Sequence, residues 1–253
     1  ADPRLGGARM NLVLFAPDEP AAPLPLADPR AQHILKVLRR SPGDTFDAGL
    51  IDGPLGKATL LRADDSALHL VFVPVREPPP LPPVTLLVGL PRPQTARDLL
   101  RDTATLGVAC IHFVTTERAD PNYASSSLWT SGEWRRHLLA GAAQAFDTRL
   151  PAVTWTHTLA SALACEASTQ QARLALDNYE ATTPLGAEIL NPKSQILNGC
   201  GVLLALGPER GWGPADRDQL RAAGFTLCSL GDRVLRLETA VIAALALVHH
   251  ARA

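Results

Sequence analysis

The alternation of apolar and polar positions changes character near residue 80. Before it, Met10–Phe15, Thr45–Leu50, Gly56–Arg62 and Ala67–Pro74 are short apolar or alternating runs, divided by Asp-Gly and Asp-Asp turn signals. They predict a compact, strand-rich barrel. Its helix is predicted over Asp28–Arg40, with Asp28 as N-cap and Pro29 in the first turn, stopped by Ser41-Pro42-Gly43-Asp44. The stretch Pro74–Pro83 carries Pro78, Pro79, Pro80, Pro82 and Pro83 and can sustain neither helix nor central strand. It predicts a stiff linker at 77–83 between a first domain, 10–76, and a second, 84–253.

Beyond the prolines the period changes. Continuous apolar strands are predicted at Val84–Leu90, Ala109–Val114, Ala172–Asp177, Gly201–Leu206 and Phe225–Leu230. Between them come helices over Gln94–Leu106, from a Thr130/Glu133 capping box to about Phe146, over Thr158–Ala167, up to Gly224, and a final apolar helix. Thr182–Leu197 reads as irregular or partly helical, followed by a turn at 198–201. The alternation predicts an α/β domain whose mostly parallel sheet is covered on both faces. Open sheets of this kind hold ligands outside the carboxyl ends of their strands. Two loops qualify. In Gly207–Gly213, three glycines allow close backbone approach, and Pro214 opens a helix whose free amides face the loop. After Phe225–Leu230, Arg233, Arg236 and Glu238 stand by an almost wholly apolar helix, where charges need each other or a ligand.

The 253 residues can bury a substantial core, and 46% apolar with 19% charged residues describes a folded globular protein. No apolar run reaches membrane-spanning length, and Asp2, Arg4 and Arg9 interrupt any signal-peptide core, so a cytoplasmic protein is expected. Cys110, Cys165, Cys200 and Cys228 are far apart and read as buried free thiols; the histidines lack ligand spacing, so no metal is expected. A formal charge of −1 does not suggest nucleic acid. Yet Arg30, His33, Lys36, Arg39 and Arg40 form a run without acids, either a solvated helix face or a set of phosphate contacts. The glycine loop is neither a P-loop nor a dinucleotide fingerprint.

Gly207-Pro208-Glu209-Arg210-Gly211-Trp212-Gly213 and Ser229-Leu230-Gly231-Asp232-Arg233-Val234-Leu235-Arg236-Leu237-Glu238-Thr239-Ala240 have counterparts elsewhere. They resemble the G-P-E-G-G-[FW]-S and S-L-G-x-R-I-L-R-T-E-T-A motifs of the RsmE-type methyltransferases. These are members of the SPOUT superfamily that methylate N3 of a uridine in 16S ribosomal RNA. Apart from Gln32, the run Gln32–Asp44 resembles the H-H-L-x-K-V-L-R-x-x-x-G-D pattern of that family's PUA-like RNA-binding domain, and Thr115-Thr116-Glu117-Arg118 resembles its T-T-E-R run.

The resemblance implies S-adenosylmethionine held in a C-terminal trefoil knot by Leu206, Gly207, Pro208, Glu209, Gly211, Leu230, Gly231, Val234, Leu235 and Arg236. It implies RNA contacts at Arg30, His33, Lys36, Arg39, Arg40 and Arg118, and Thr116, Glu117 and Arg118 at the rim of the site. Uracil N3 must lose a proton before it can attack, which calls for a base and a positive group. Arg236 is expected to stabilise charge on the base, with Glu238 orienting it or assisting proton removal; a purely structural Arg236–Glu238 pair at the helix N-terminus is the alternative. A homodimer through the last helix is also implied, although ordinary core would account equally for Val241, Ile242, Leu245 and Leu247.

Four departures stand out. Arg210 replaces a glycine and is strained if the position needs positive φ. Leu237 replaces a threonine. Gly213 replaces a capping serine. Ala140–Pro151 keeps Gln144 and the proline of an E-A-x-E-Q-S-x-R-x-x-x-P run but loses its acids and serine. They leave open a noncatalytic RNA-binding or ribosome-assembly protein, or a SPOUT enzyme acting at another RNA position.

Overall fold

The computed structural model describes residues 12–167, 171–191, 196 and 199–252; of the predicted elements, residues 10–11, 192–195 and 197–198 lie outside them. The chain divides into two compact units, Ala1–Pro80 with Leu139–Leu150, and Leu81–Leu138 with Pro151–Ala253. One cut falls in the proline run, while the return of 139–150 to the first unit departs from the single boundary that the sequence suggests.

The first unit is a five-stranded sheet in the order β1-β3-β4-β5-β2, formed by β1 (Val13–Phe15), β2 (Leu24–Pro25), β3 (Thr45–Leu50), β4 (Leu55–Ala63) and β5 (Ala67–Arg76). Register shifts in the β4–β5 pairing, at Leu55/Gly56 and Leu60/Arg62, bend the sheet. Phe15, Ile34, Phe46, Leu60 and Leu68 fill one side. On the other, Leu12, Leu14 and Leu55 pack with Leu139, Ala142 and Phe146. Polar ties join the same segments: Leu12 N donates to Ala143 O at 3.1 Å, Thr148 Oγ1 to Gly53 O at 2.6 Å, and Leu150 N to Asp52 Oδ1 at 2.9 Å. These account for the return of 139–150.

Asp28 caps α1 (Pro29–Gln32) by accepting from Arg30 N at 2.8 Å, with Pro29 in the first turn. The helix is shorter than its pattern predicts. It widens into a π-helical turn over His33–Val37, where Leu38 N reaches back to His33 O at 2.9 Å, and Arg39 at φ +53° breaks it.

The second unit is a parallel seven-stranded sheet in the order β10-β12-β9-β11-β6-β7-β8. Its strands are β6 (Val84–Gly89), β7 (Cys110–Thr115), β8 (Ala152–Thr158), β9 (Gln171–Leu176), β10 (Thr183–Pro184), β11 (Gly201–Leu206) and β12 (Thr226–Ser229). The helices are α2 (Pro93–Leu106), α3 (Ser127–Thr130), α5 (Leu159–Cys165), α6 (Leu185–Ile189), α7 (Pro214–Ala222) and α8 (Leu237–Arg252), together with α4 (Glu133–Ala145), whose residues from Leu139 on count with the first unit. The central strands are buried on both faces, as their apolar runs require.

One strand was not predicted, and one local expectation fails. β8 has no apolar run to announce it, because as an edge strand it is only half covered. The Thr130/Glu133 capping box does not form. Thr130 ends α3 with its hydroxyl on Ser126 O, and Glu133 accepts from Arg97 Nε at 2.8 Å and His137 Nε2 at 3.1 Å. Hydrogen bonds from Arg97, then His137, draw the Glu133 carboxyl down to about 2.

Cysteine burial is likewise uneven: Cys228 is buried, Cys110 and Cys200 are half-buried and Cys165 is exposed. Burial raises the Cys110 thiol to about 11 and Cys228 to about 12. Among the described residues no helix is long and apolar enough to cross a membrane, and no group of three or more His, Cys, Asp or Glu side chains is placed to hold a metal ion.

Candidate active site

β9, β11 and β12 are neighbours in the sheet, and the chain leaving their carboxyl ends encloses a cavity of about 660 Å³. Leu176–Tyr179, Leu206–Trp212, Leu230 and Arg233–Glu238 line it, with Arg92 and Thr95. Both glycine-motif loops therefore share one space, of a size usual for small ligands.

Close packing explains the glycines. A Cβ on Gly207 would lie 2.8 Å from the Gly211 carbonyl carbon and 2.9 Å from Trp212 N, and one on Gly89, at the end of β6, would lie 2.6 Å from Pro208 N. Gly211 takes the left-handed turn at φ +69°, whereas Arg210 is not among the positive-φ residues, so its expected strain is absent. Buried Trp212 fastens the loop to β9 by donating from Nε1 to Leu176 O at 2.9 Å.

Gly213 has no side chain to cap α7, and two carboxylates replace the missing serine. Asp216 Oδ2 accepts from Gly213 N at 2.9 Å, and Glu117 Oε2, from the end of β7, accepts from Ala215 N at 3.2 Å. Asp216 also accepts from Glu117 N at 3.2 Å.

An ion pair that the sequence reading did not single out sets the third wall. Arg217 Nε donates to Asp177 Oδ2 at 2.7 Å with both side chains at least 95% buried, from their 5% and 1% exposure. Asp177 Oδ1 accepts from Tyr179 N at 2.8 Å, and the Arg217 guanidinium lies 5.3 Å from the Tyr179 ring centre. The available signal was Arg217 itself, a charge three positions before Leu220 on the buried side of α7.

In the second loop Val234 is 80% exposed, and Tyr179 on the cavity wall is 75% exposed. Arg236 and Glu238 both line the cavity, but neither pairs with the other or with another described residue. Gly231, at φ +102°, turns the chain without lining the cavity, and Leu237 is buried where a threonine would offer its hydroxyl.

A second cavity of about 810 Å³ adjoins the first, sharing Arg92, Pro208, Glu209 and Arg210 with it. Leu90, Glu117–Pro121 and Tyr123 complete its lining. Arg118 Nη1 donates to Arg210 O at 3.0 Å, and Glu209 Oε1 accepts from Arg92 N at 3.0 Å.

Of the basic run in the first unit, Arg30 is committed internally. It donates to Glu19 at 2.6 and 2.9 Å, to Asp28 at 3.0 and 2.8 Å and to Leu14 O at 3.1 Å. Lys36 and Arg39 are exposed, while His33 and Arg40 are half-buried with Nε2 and Nε unpartnered.

Known proteins share this arrangement. Residues 77–249 match the family model of the RNA methyltransferase domain. The chain is 36% identical over 248 residues to a ribosomal RNA small subunit methyltransferase E of Treponema pallidum, covering 94% of this chain and 90% of the relative. A Borreliella burgdorferi protein named ribosomal RNA small subunit methyltransferase E 1 is 26% identical, with 93% and 95% covered. Among solved structures, the putative methyltransferase Lpg2936 of Legionella pneumophila in complex with SAM has the same fold, with TM-score 0.76, 24% identity and 96% and 98% coverage. A methyltransferase E of Neisseria gonorrhoeae bound to S-adenosyl methionine follows at TM-score 0.73, 23% identity and 95% and 97% coverage. With the family model spanning the sheet, both motif loops and the cavity between them, and with that identity running through nearly the whole length, the chain belongs to the ribosomal RNA small subunit methyltransferase E family.

Proposed function

We propose that this chain is a cytoplasmic methyltransferase that uses S-adenosylmethionine to methylate N3 of a uridine in 16S ribosomal RNA. The observation that carries the reading is the meeting of both motif loops around one cavity whose walls hold two large, uncovered side chains, Val234 and Tyr179. Apolar surface in a concave site favours a flat ring as its cover. The residues present suit this cofactor: glycine backbone at 207 and 211, the apolar side chains of Leu206, Val234 and Leu235, and the polar ones of Glu209 and Arg236. S-adenosylmethionine supplies an electrophilic methyl group on a sulfonium centre.

The chain's own groups handle the nucleophile. Arg236, which has no ion pair among the described residues, stabilises the negative charge that grows on O2 or O4 as N3 loses its proton, and Glu238 receives or relays that proton. Orienting Arg236 is the other role that Glu238, two positions along, is proposed to serve. Lys36, Arg39, Arg40, His33 and Arg118 offer contacts to RNA. The PUA-like barrel, at 10–76, and the trefoil knot belong to the same proposal; for the knot, the support is β11 lying between β6 and β9, strands made earlier in the chain. Exposed Ile242 and Leu247 on α8 support a homodimer, while Val241 and Leu245 are already buried.

Arg236→Ala is expected to abolish methyl transfer to small ribosomal subunits from a strain lacking the enzyme, with an unchanged circular dichroism spectrum. Normal turnover would refute the assignment. Mapping the methylated nucleotide in the same assay identifies the target.

A further inference from the structure

Beyond Glu209 and Arg118, the second cavity carries groups to which the proposed reaction gives no role. Three guanidinium-bearing residues line it, Arg92, Arg118 and Arg210, together with half-exposed Tyr123. Three acids line it too, so the formal charges balance, but their commitments differ. Glu117 accepts from Ala215 N at 3.2 Å, Asp120 from Asn122 N at 3.0 Å and Glu209 from Arg92 N at 3.0 Å. The side chains of Arg92 and Arg210 have no partner among the described residues, and Arg118 gives one nitrogen to Arg210 O. What the cavity offers is therefore a set of planar N–H donors beside an aromatic ring, the combination that grips a phosphate while a base stacks.

We infer that this cavity is a subsite for a nucleotide flanking the target uridine, with Arg92 and Arg210 on its phosphate and Tyr123 against its base. The inference rests on the RNA substrate reading. Position favours RNA: the wall shared with the cofactor cavity puts a neighbouring nucleotide in reach of the one being methylated. The balanced formal charge makes the attraction local and directional, fitting a single-stranded segment in preference to a duplex backbone.

The test is binding of a fluorescently labelled twelve-uridine RNA to the full chain, followed by anisotropy at rising KCl, with calorimetric S-adenosylmethionine binding on the same proteins. The Arg92→Ala/Arg210→Ala variant is expected to bind RNA more weakly, and the slope of log K against log [KCl] should fall by about 1.4, at roughly 0.7 per lost single-strand phosphate contact. Tyr123→Ala should weaken RNA binding about tenfold with the slope kept, as for a lost stacking partner, and leave cofactor affinity within about twofold. RNA affinity and slope unchanged in both variants, or no RNA binding by the unaltered protein, overturns the subsite. Absence of cofactor binding by the unaltered protein would instead defeat the methyl-transfer reading, and the RNA measurements would still decide the subsite on their own.

Discussion

Arg30 shows how far a single residue can be read from its neighbours. The sequence displays it as one cation in a basic run, and Asp28 two positions away is visible as its natural contact. Glu19, eleven positions back, is not, and it takes the other side of the fork. Hydrogen bonds from Arg30 hold the Glu19 and Asp28 carboxyls below their ordinary values of 4.5 and 3.8. A carboxyl whose folded value is depressed adds stability above its unfolded value, and that stability is lost as pH falls through the folded one. Arg30→Met keeps the apolar stem beside Phe15 and removes the fork. It should cost about 1–2 kcal/mol at pH 7, with the share of the more exposed Glu19 discounted for solvent screening. Urea unfolding should show the gap to the unaltered protein closing below about pH 4, as both carboxyls protonate. A gap of constant size from pH 7 to pH 3 would contradict this account.

Elements were legible where one local signal decides them. Thr45–Leu50 and Gly201–Leu206 form as their apolar patterns require, and Gly107 closes α2 at φ +78°. They were illegible where a distant residue intervenes. The capping box lost Glu133 to Arg97, 36 positions away, and the start of α7 gained Glu117 from 98 positions away. That second case makes Gly213 and Glu117 a matched pair. A Cβ at 213 would lie 2.7 Å from the Glu117 Cβ and overlap its carboxylate. Gly213→Ala should thus destabilise by about 1–3 kcal/mol through overpacking, and Glu117→Ala by about 1 kcal/mol through the lost cap. In the double variant the overlap with the carboxylate is gone and only the 2.7 Å approach of the two Cβ atoms remains, so the combined cost should fall short of the sum by more than about 0.5 kcal/mol. Denaturant unfolding of the three proteins decides it, and strict additivity would mean that the two side chains do not compete for the same space.

At the scale of the whole molecule, the proline run marks where the pattern of short strands gives way to alternating strands and helices, because proline acts locally. The return of Leu139–Leu150 to the first unit depends on Leu12, Gly53 and Asp52, long-range partners that no periodicity displays. The second unit holds all four tryptophans, at 129, 134, 155 and 212, so tryptophan emission on heating follows that unit alone. Trp212 itself sits in the glycine loop, and Trp129 and Trp155 stack at 5.1 Å. A ligand that binds only the folded cavity stabilises it by about 2.7 kcal/mol at a hundred times its dissociation constant. For a unit of this size each kcal/mol moves the midpoint by about 2–4 °C, so S-adenosylmethionine should raise the emission midpoint by about 5–10 °C. Gly207→Ala presses a methyl group into Gly211 and Trp212 and should remove most of that rise, because the loop must move away from the shape that receives the cofactor. A midpoint indifferent to the cofactor in the unaltered protein would mean that the two motif loops, though they share a cavity, do not hold S-adenosylmethionine in it.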